Sequence, residues 1–130
     1  MKKILGTMTF GEQVDQATAQ DLIARFVAAG NGELDTAHVY CEGRTEEMLG
    51  RLLPGKTSSN LYLASKVNPW NDEGLQAQQV KKQLDKSLQR LGRDSIDLLY
   101  LHSPTSRHRL RKPWRPVSNY ISRASSKTLV

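Results

Sequence analysis

Ile96-Asp97-Leu98-Leu99-Tyr100-Leu101 places five apolar or aromatic side chains in six positions, closely after a segment, residues 76–91, in which Val80, Leu84, Leu88 and Leu91 recur at helical spacing. A run this apolar and this short reads as a strand buried on both faces, the kind that belongs to a parallel sheet covered by helices. The same alternation extends back towards the N-terminus. Residues 61–67 read as a strand, 45–53 as a helix stopped by Pro54-Gly55, and 33–37 as a brief strand. Before these come a helix at 17–29, with Leu22, Ile23, Phe26 and Val27 on one face and Gly30 closing it, and a strand at 4–10 ended by Gly11.

Four strand–helix steps therefore begin, and the fourth strand has no helical pattern after it. The class is α/β. A closed eight-stranded barrel takes roughly 250 residues, so if these 130 residues are barrel material they make about half of one, a partial (β/α)8 TIM barrel of about four strands with three helices. Two unpaired edges and an uncovered interior are expected of such a piece, which favours aggregation.

The net charge of +6 would point to a polyanion if it were spread evenly. It is not. Residues 1–104 hold 12 Lys and Arg against all 13 Asp and Glu, whereas residues 105–130 hold 7 basic residues and no acid. Two units follow, a folded one at 1–104 and a basic, unstructured one at 105–130, where Trp114 and Tyr120 lie among arginines. Binding of nucleic acid or an acidic surface by this tail is the alternative function, weaker than the one that follows. The single Cys41 makes neither an internal disulfide nor a cysteine zinc site. No apolar run is long enough to span a bilayer and the N-terminus has no signal-like stretch, so a cytoplasmic protein is expected, with self-association left open.

Polar residues stand at the ends of the strands: Asp35 and then Tyr40 after the second, Lys66 on the third, His102 after the fourth. In a parallel sheet these ends share one rim, so the four can converge. Reduction of a carbonyl by hydride needs a proton on its oxygen. A tyrosine can supply it when a neighbouring ammonium eases its deprotonation, a carboxylate can hold that ammonium, and a histidine can orient the carbonyl. Taken singly each residue is more often structural: a turn cap, a packing tyrosine, a surface lysine, a satisfied histidine. The set carries the signal.

The segment Glu33-Leu34-Asp35-Thr36-Ala37-His38-Val39-Tyr40-Cys41-Glu42-Gly43-Arg44-Thr45-Glu46, with Leu49-Gly50, resembles the aldo-keto reductase signature around its catalytic aspartate and tyrosine. Ala64-Ser65-Lys66 and Leu99-Tyr100-Leu101-His102-Ser103-Pro104 resemble the family's lysine and histidine motifs. The Val39–Gly43 segment and Lys66-Val67-Asn68-Pro69-Trp70 look closest to its aflatoxin-aldehyde reductase subfamily. The resemblance covers residues 4–104. It implies NADPH-dependent reduction of aldehydes and ketones, with Asp35, Tyr40, Lys66 and His102 catalytic and His102 and Tyr40 facing a small aldehyde. It also implies that Gly6, Thr7, Met8 and Asp35 lie against the nicotinamide end of the cofactor. No metal is implied.

From Thr105 the family pattern stops, where members continue with an Asp after the Pro, a Glu-Glu-Thr-Leu helix and Gly-Lys-Phe. Codons compatible with residues 112–130, read one base back, can encode Glu-Thr-Leu-Glu-Ala-Cys-Gln-Gln-Leu-Tyr-Gln-Gln-Gly-Lys-Phe-Lys-Asp-Leu-Gly, and the Asn119–Tyr120 junction forces the second Leu. Out-of-frame translation of residues 105–130 is the expectation, and the coding DNA tests it. The family grips the cofactor's pyrophosphate and 2′-phosphate with its C-terminal half. No Gly-x-Gly-x-x-Gly segment stands in for that grip here, so the chain is expected to be truncated and inactive by itself.

Overall fold

The computed structural model describes residues 2–53, 61–69 and 76–103. The basic segment from Thr105 onward, expected to be unstructured, lies outside the described residues, as does Trp70. Four strands, β1 (Leu5–Gly6), β2 (Glu33–Asp35), β3 (Tyr62–Val67) and β4 (Leu98–Leu101), form one sheet in the order β1-β2-β3-β4. Every pairing is parallel. Helices α1 (Gln16–Ala28), α2 (Arg44–Leu52) and α3 (Ala77–Leu91) fill the three connections.

Register and the twofold period of strands divide the side chains cleanly. Leu34 pairs with Leu63, and Ser65 and Val67 pair with Leu99 and Leu101. This parity joins Met48, Leu49, Val80, Leu84 and Leu91 of the helices in one core. The opposite parity holds Ile4, Gly6, Glu33, Asp35, Ala64 and Tyr100, which line an open cavity. Helices therefore cover one face, and the other carries the charged and aromatic residues.

The first strand is shorter than the apolar run at 4–10 predicts. After Gly6 both the backbone N–H and the hydroxyl of Thr7 donate to the Asp35 carbonyl, each at 3.0 Å. Phe10 N–H then bonds back to the Thr7 carbonyl at 3.0 Å and turns the chain, so that the Phe10 ring enters the core. The fourth strand begins late for a similar reason. Asp97 accepts from Leu63 N–H through its carboxylate and donates to the Leu63 carbonyl through its own N–H, both at 2.9 Å.

Helix ends follow local chemistry. Asp15 caps α1 by accepting from Thr18 N–H at 2.8 Å. Gly92, at φ 62°, closes α3 in the left-handed conformation that glycine adopts without steric penalty. Helices α2 and α3 approach closely at Gly50, where a β-carbon would stand 2.4 Å from the Arg90 carbonyl oxygen. Among the described residues no helix is long and apolar enough to cross a membrane.

Candidate active site

Asp35, Lys66 and His102 follow one diagonal of the sheet. Asp35 pairs with Ala64, and Lys66 is two residues beyond Ala64 on the same face. Lys66 in turn pairs with Tyr100, and His102 is two residues beyond Tyr100. His102 stays in line because its N–H donates to the Val67 carbonyl at 2.8 Å, extending the parallel ladder past β4.

The Lys66 ammonium donates to Asp35 Oδ2 at 2.6 Å, to the Thr36 carbonyl at 2.8 Å and to the Tyr40 hydroxyl oxygen at 3.3 Å. Lysine has three N–H donors and all three are engaged. The ion pair is largely shielded, with side-chain exposures of 16% for Lys66 and 27% for Asp35. The rings of Tyr40 and His102 meet edge to face, with centroids 5.8 Å apart and planes at 85°. Burial, and then the Lys66 charge, push the His102 pKa below the usual imidazole range, with Asp35 opposing. A neutral imidazole beside the phenol is the result.

Such an arrangement can release a proton from the phenol. Because the ammonium donates to the phenolic oxygen, the O–H proton is left to point elsewhere, and a phenolate forming there would already be solvated by a cation. A neutral histidine N–H can donate to the same acceptor that takes the proton.

Tyr40 itself is delivered by a short 3-10 turn, Tyr40–Gly43, that links β2 to α2. Inside it Cys41 and Glu42 both take positive φ, 49° and 58°, and Gly43 follows at 97°. Two non-glycine residues in that region cost about 1–2 kcal/mol each, so the surroundings must hold the turn. They do so through cations: Arg44 Nε donates to the Cys41 carbonyl at 3.1 Å, and Arg90 Nη1 donates to the His38 carbonyl at 2.9 Å.

Behind the turn is a buried polar group that the sequence reading did not single out. Glu46 is fully buried on α2 and accepts from Ser65 Oγ at 2.9 Å and from Arg90 Nη1 at 3.3 Å. Burial raises its pKa, partly offset by hydrogen bonds from Ser87, Ser65 and Arg90. His38 Nδ1 lies 3.0 Å from Ser87 Oγ, and burial with the nearby Arg90 and Lys86 charges pushes the His38 pKa down to about 4. Gln83, Ser87 and Arg90 form a polar stripe at helical spacing beside the apolar face of α3. That stripe was the available signal, and by itself it resembles a solvated flank.

At the β1 end, Gly6 has open space before it and the Met8 side chain is 62% exposed, whereas Thr7 is buried with its hydroxyl on Asp35. Asp35, Tyr40, Lys66 and His102 are thus brought together, with Gly6 paired beside Asp35 and the Met8 carbonyl accepting from Cys41 Sγ at 3.5 Å. Among the described residues no cluster of His, Cys, Asp and Glu could hold a metal ion.

The four residues share one rim of a parallel sheet, and the aldo/keto reductase family model matches residues 3–123. The chain belongs to the aldo/keto reductase family. The matched range runs past Pro104 into the basic segment. Aflatoxin B1 aldehyde reductase member 2 of Rattus norvegicus is 40% identical over 103 residues, 78% of this chain and 28% of that protein. Methylglyoxal reductase YeaE of Escherichia coli is 35% identical over 98 residues, 75% of this chain and 33% of that protein. Among solved structures, aldo-keto reductase AKR11C1 from Bacillus halodurans, in a holo form, superposes with a TM-score of 0.77 at 25% identity, over 96% of this chain and 44% of that one. An aldo-keto reductase from Klebsiella pneumoniae in complex with NADPH shares the fold, with a TM-score of 0.73 at 24% identity over 97% and 43% of the two chains. The chain thus spans about a third or less of these curated relatives and under half of these solved structures.

Proposed function

We propose that this chain carries the proton-donor half of an NADPH-dependent aldehyde reductase, with Tyr40 giving its phenolic proton to the carbonyl oxygen. The observation that carries this reading is the Lys66 ammonium donating at once to Asp35, Thr36 and Tyr40. Asp35 holds the ammonium in place, and Lys66 stabilises the phenolate left behind. His102, neutral and edge-on to Tyr40, hydrogen-bonds the carbonyl oxygen and holds it near the phenol. Small aldehydes as substrates are supported by relatives named as aldehyde and methylglyoxal reductases.

The residues fit the nicotinamide end of NADPH. Gly6 leaves room for a flat ring beside Asp35, and the exposed Met8 side chain offers an apolar face. Thr7 contributes by fixing the Asp35 backbone. The cofactor, when bound, supplies the hydride. By the resemblance, grip on its phosphates belongs to the family's C-terminal half, and NADPH binding by these 130 residues alone is expected to be weak.

Two measurements test the reading. Titration of the chain with NADPH, followed by cofactor fluorescence, is expected to show no micromolar binding. Fusion of residues 1–103 to the C-terminal half of a homologous reductase is expected to restore NADPH-dependent aldehyde reduction. In that fusion Tyr40→Phe should lower kcat about 100-fold or more with NADPH affinity unchanged. Full turnover by the Tyr40→Phe fusion overturns the assignment of the proton donor.

A further inference from the structure

The turn that carries Tyr40 is joined to α3 by the guanidinium of Arg90. Arg90, on the last turn of α3, donates through Nη1 to the His38 carbonyl at 2.9 Å and through Nη2 to the Glu42 carbonyl at 3.4 Å. These two carbonyls bracket Tyr40 in sequence, two residues on either side. The same Nη1 contacts the fully buried Glu46 carboxylate at 3.3 Å, and the Arg90 side chain is only 14% exposed. Gly43 completes the enclosure: a β-carbon there would stand 2.1 Å from the guanidinium carbon.

We propose that Arg90 is the positioning residue for Tyr40, a clamp that holds the strained 38–43 turn by its two flanking carbonyls and is itself anchored by Glu46. The inference rests on Tyr40 being the group the site must place. Its physical basis is geometric. Cys41 and Glu42 sit in a backbone region that non-glycine residues leave readily, so the turn needs an external hold. The Arg90 fork supplies two donors in fixed relation, which one ammonium cannot do. Arg44 holds the carbonyl between them, at Cys41, but from the exposed side. Glu46 also receives Ser65 Oγ, and Ser65 immediately precedes Lys66 on β3. The clamp and the strand that carries Lys66 are therefore tied to one buried carboxylate, so the turn bearing Tyr40 and the strand bearing Lys66 share one anchor.

NMR of the full 130-residue chain tests this without requiring turnover. The readout is the aromatic cross-peak between Tyr40 and His102, whose rings are in edge contact, with the amide shifts of Leu34, Leu63 and Val67 reporting the sheet. Arg90→Met keeps the apolar stem and removes the fork. It is expected to abolish the cross-peak while the sheet amides hold their positions. Arg90→Lys should restore it in part, and Glu46→Gln, which weakens the anchor, should reduce it without abolishing it. An unchanged Tyr40–His102 cross-peak in Arg90→Met with an intact sheet overturns the proposal. If Arg90→Met fails to fold, an undiminished cross-peak in Glu46→Gln overturns it equally. Since the readout is ring geometry, it stands apart from the Tyr40→Phe turnover test: Arg90 can prove to be the clamp even if Tyr40 is not the proton donor, and the converse.

Discussion

Lys66 meets Asp35 not across the strand pair but one step along it: Asp35 pairs with Ala64, and the ammonium of Lys66, two residues on, returns 2.6 Å to Asp35 Oδ2. The pair is mostly out of water, and its charges are matched. Removing one partner is therefore more costly than removing an exposed ion pair. Lys66→Met should destabilise the chain by about 2–3 kcal/mol in urea unfolding, since it leaves a shielded carboxylate without its cation. Asp35→Asn should cost less, because an amide oxygen still accepts from the ammonium.

A second prediction concerns the close approach of α2 and α3. Alanine favours an exposed helix by about 1 kcal/mol over glycine, yet at Gly50 its β-carbon would lie 2.4 Å from a backbone oxygen of Arg90. Gly50→Ala should lower stability by about 2 kcal/mol or more as the helices are forced apart. A gain in melting temperature would contradict the packing described.

Glu42 gives the opposite expectation. Its φ of 58° is in the left-handed region and its side chain is exposed. Glu42→Gly should raise stability by about 1 kcal/mol, with the Tyr40–His102 contact kept. Thermal unfolding of the variant beside the parent measures it.

His38 makes stability depend on pH. Its pKa is pushed down to about 4 in the folded chain, from 6.5 ordinarily, so below pH 6.5 the unfolded state binds a proton that the folded state refuses. The stabilisation is fully present above pH 6.5 and is lost as pH falls through the folded value. A decline on the order of 2 kcal/mol is expected between pH 6.5 and 4, and His38→Gln should flatten it. An equal slope in parent and variant would assign the decline elsewhere.

Much of the architecture was legible because the apolar side chains carry the period of their elements. Leu34, Leu63, Val67 and Leu99 announce buried strands, and Val80, Leu84 and Leu91 announce a helix facing them. The convergence of Asp35, Tyr40, Lys66 and His102 was legible for a different reason: each occupies a strand end or the turn after it, and in a parallel sheet those ends coincide. What was not legible is set by long-range contacts. Phe10 ends the first strand by bonding back to the Thr7 carbonyl and folding its ring into the core, which no local pattern signals. Arg90 and Glu46, some 44 residues apart, look like ordinary surface charges on two amphipathic helices until the helices meet. Positive φ at Cys41 and Glu42 is likewise not announced by residue type.

The diagonal through Asp35, Lys66 and His102 has a consequence for how faithfully this sheet must assemble. Sliding β3 by one residue would exchange its two faces, sending Lys66 into the helical layer and Leu63, Ser65 and Val67 to the rim. Stability would register such a slip as a partial loss. Proton transfer would register it as complete failure, because no other lysine of the strand could reach the phenol. Proton transfer by Tyr40, as proposed, is thus a stricter gauge of strand alignment than folding.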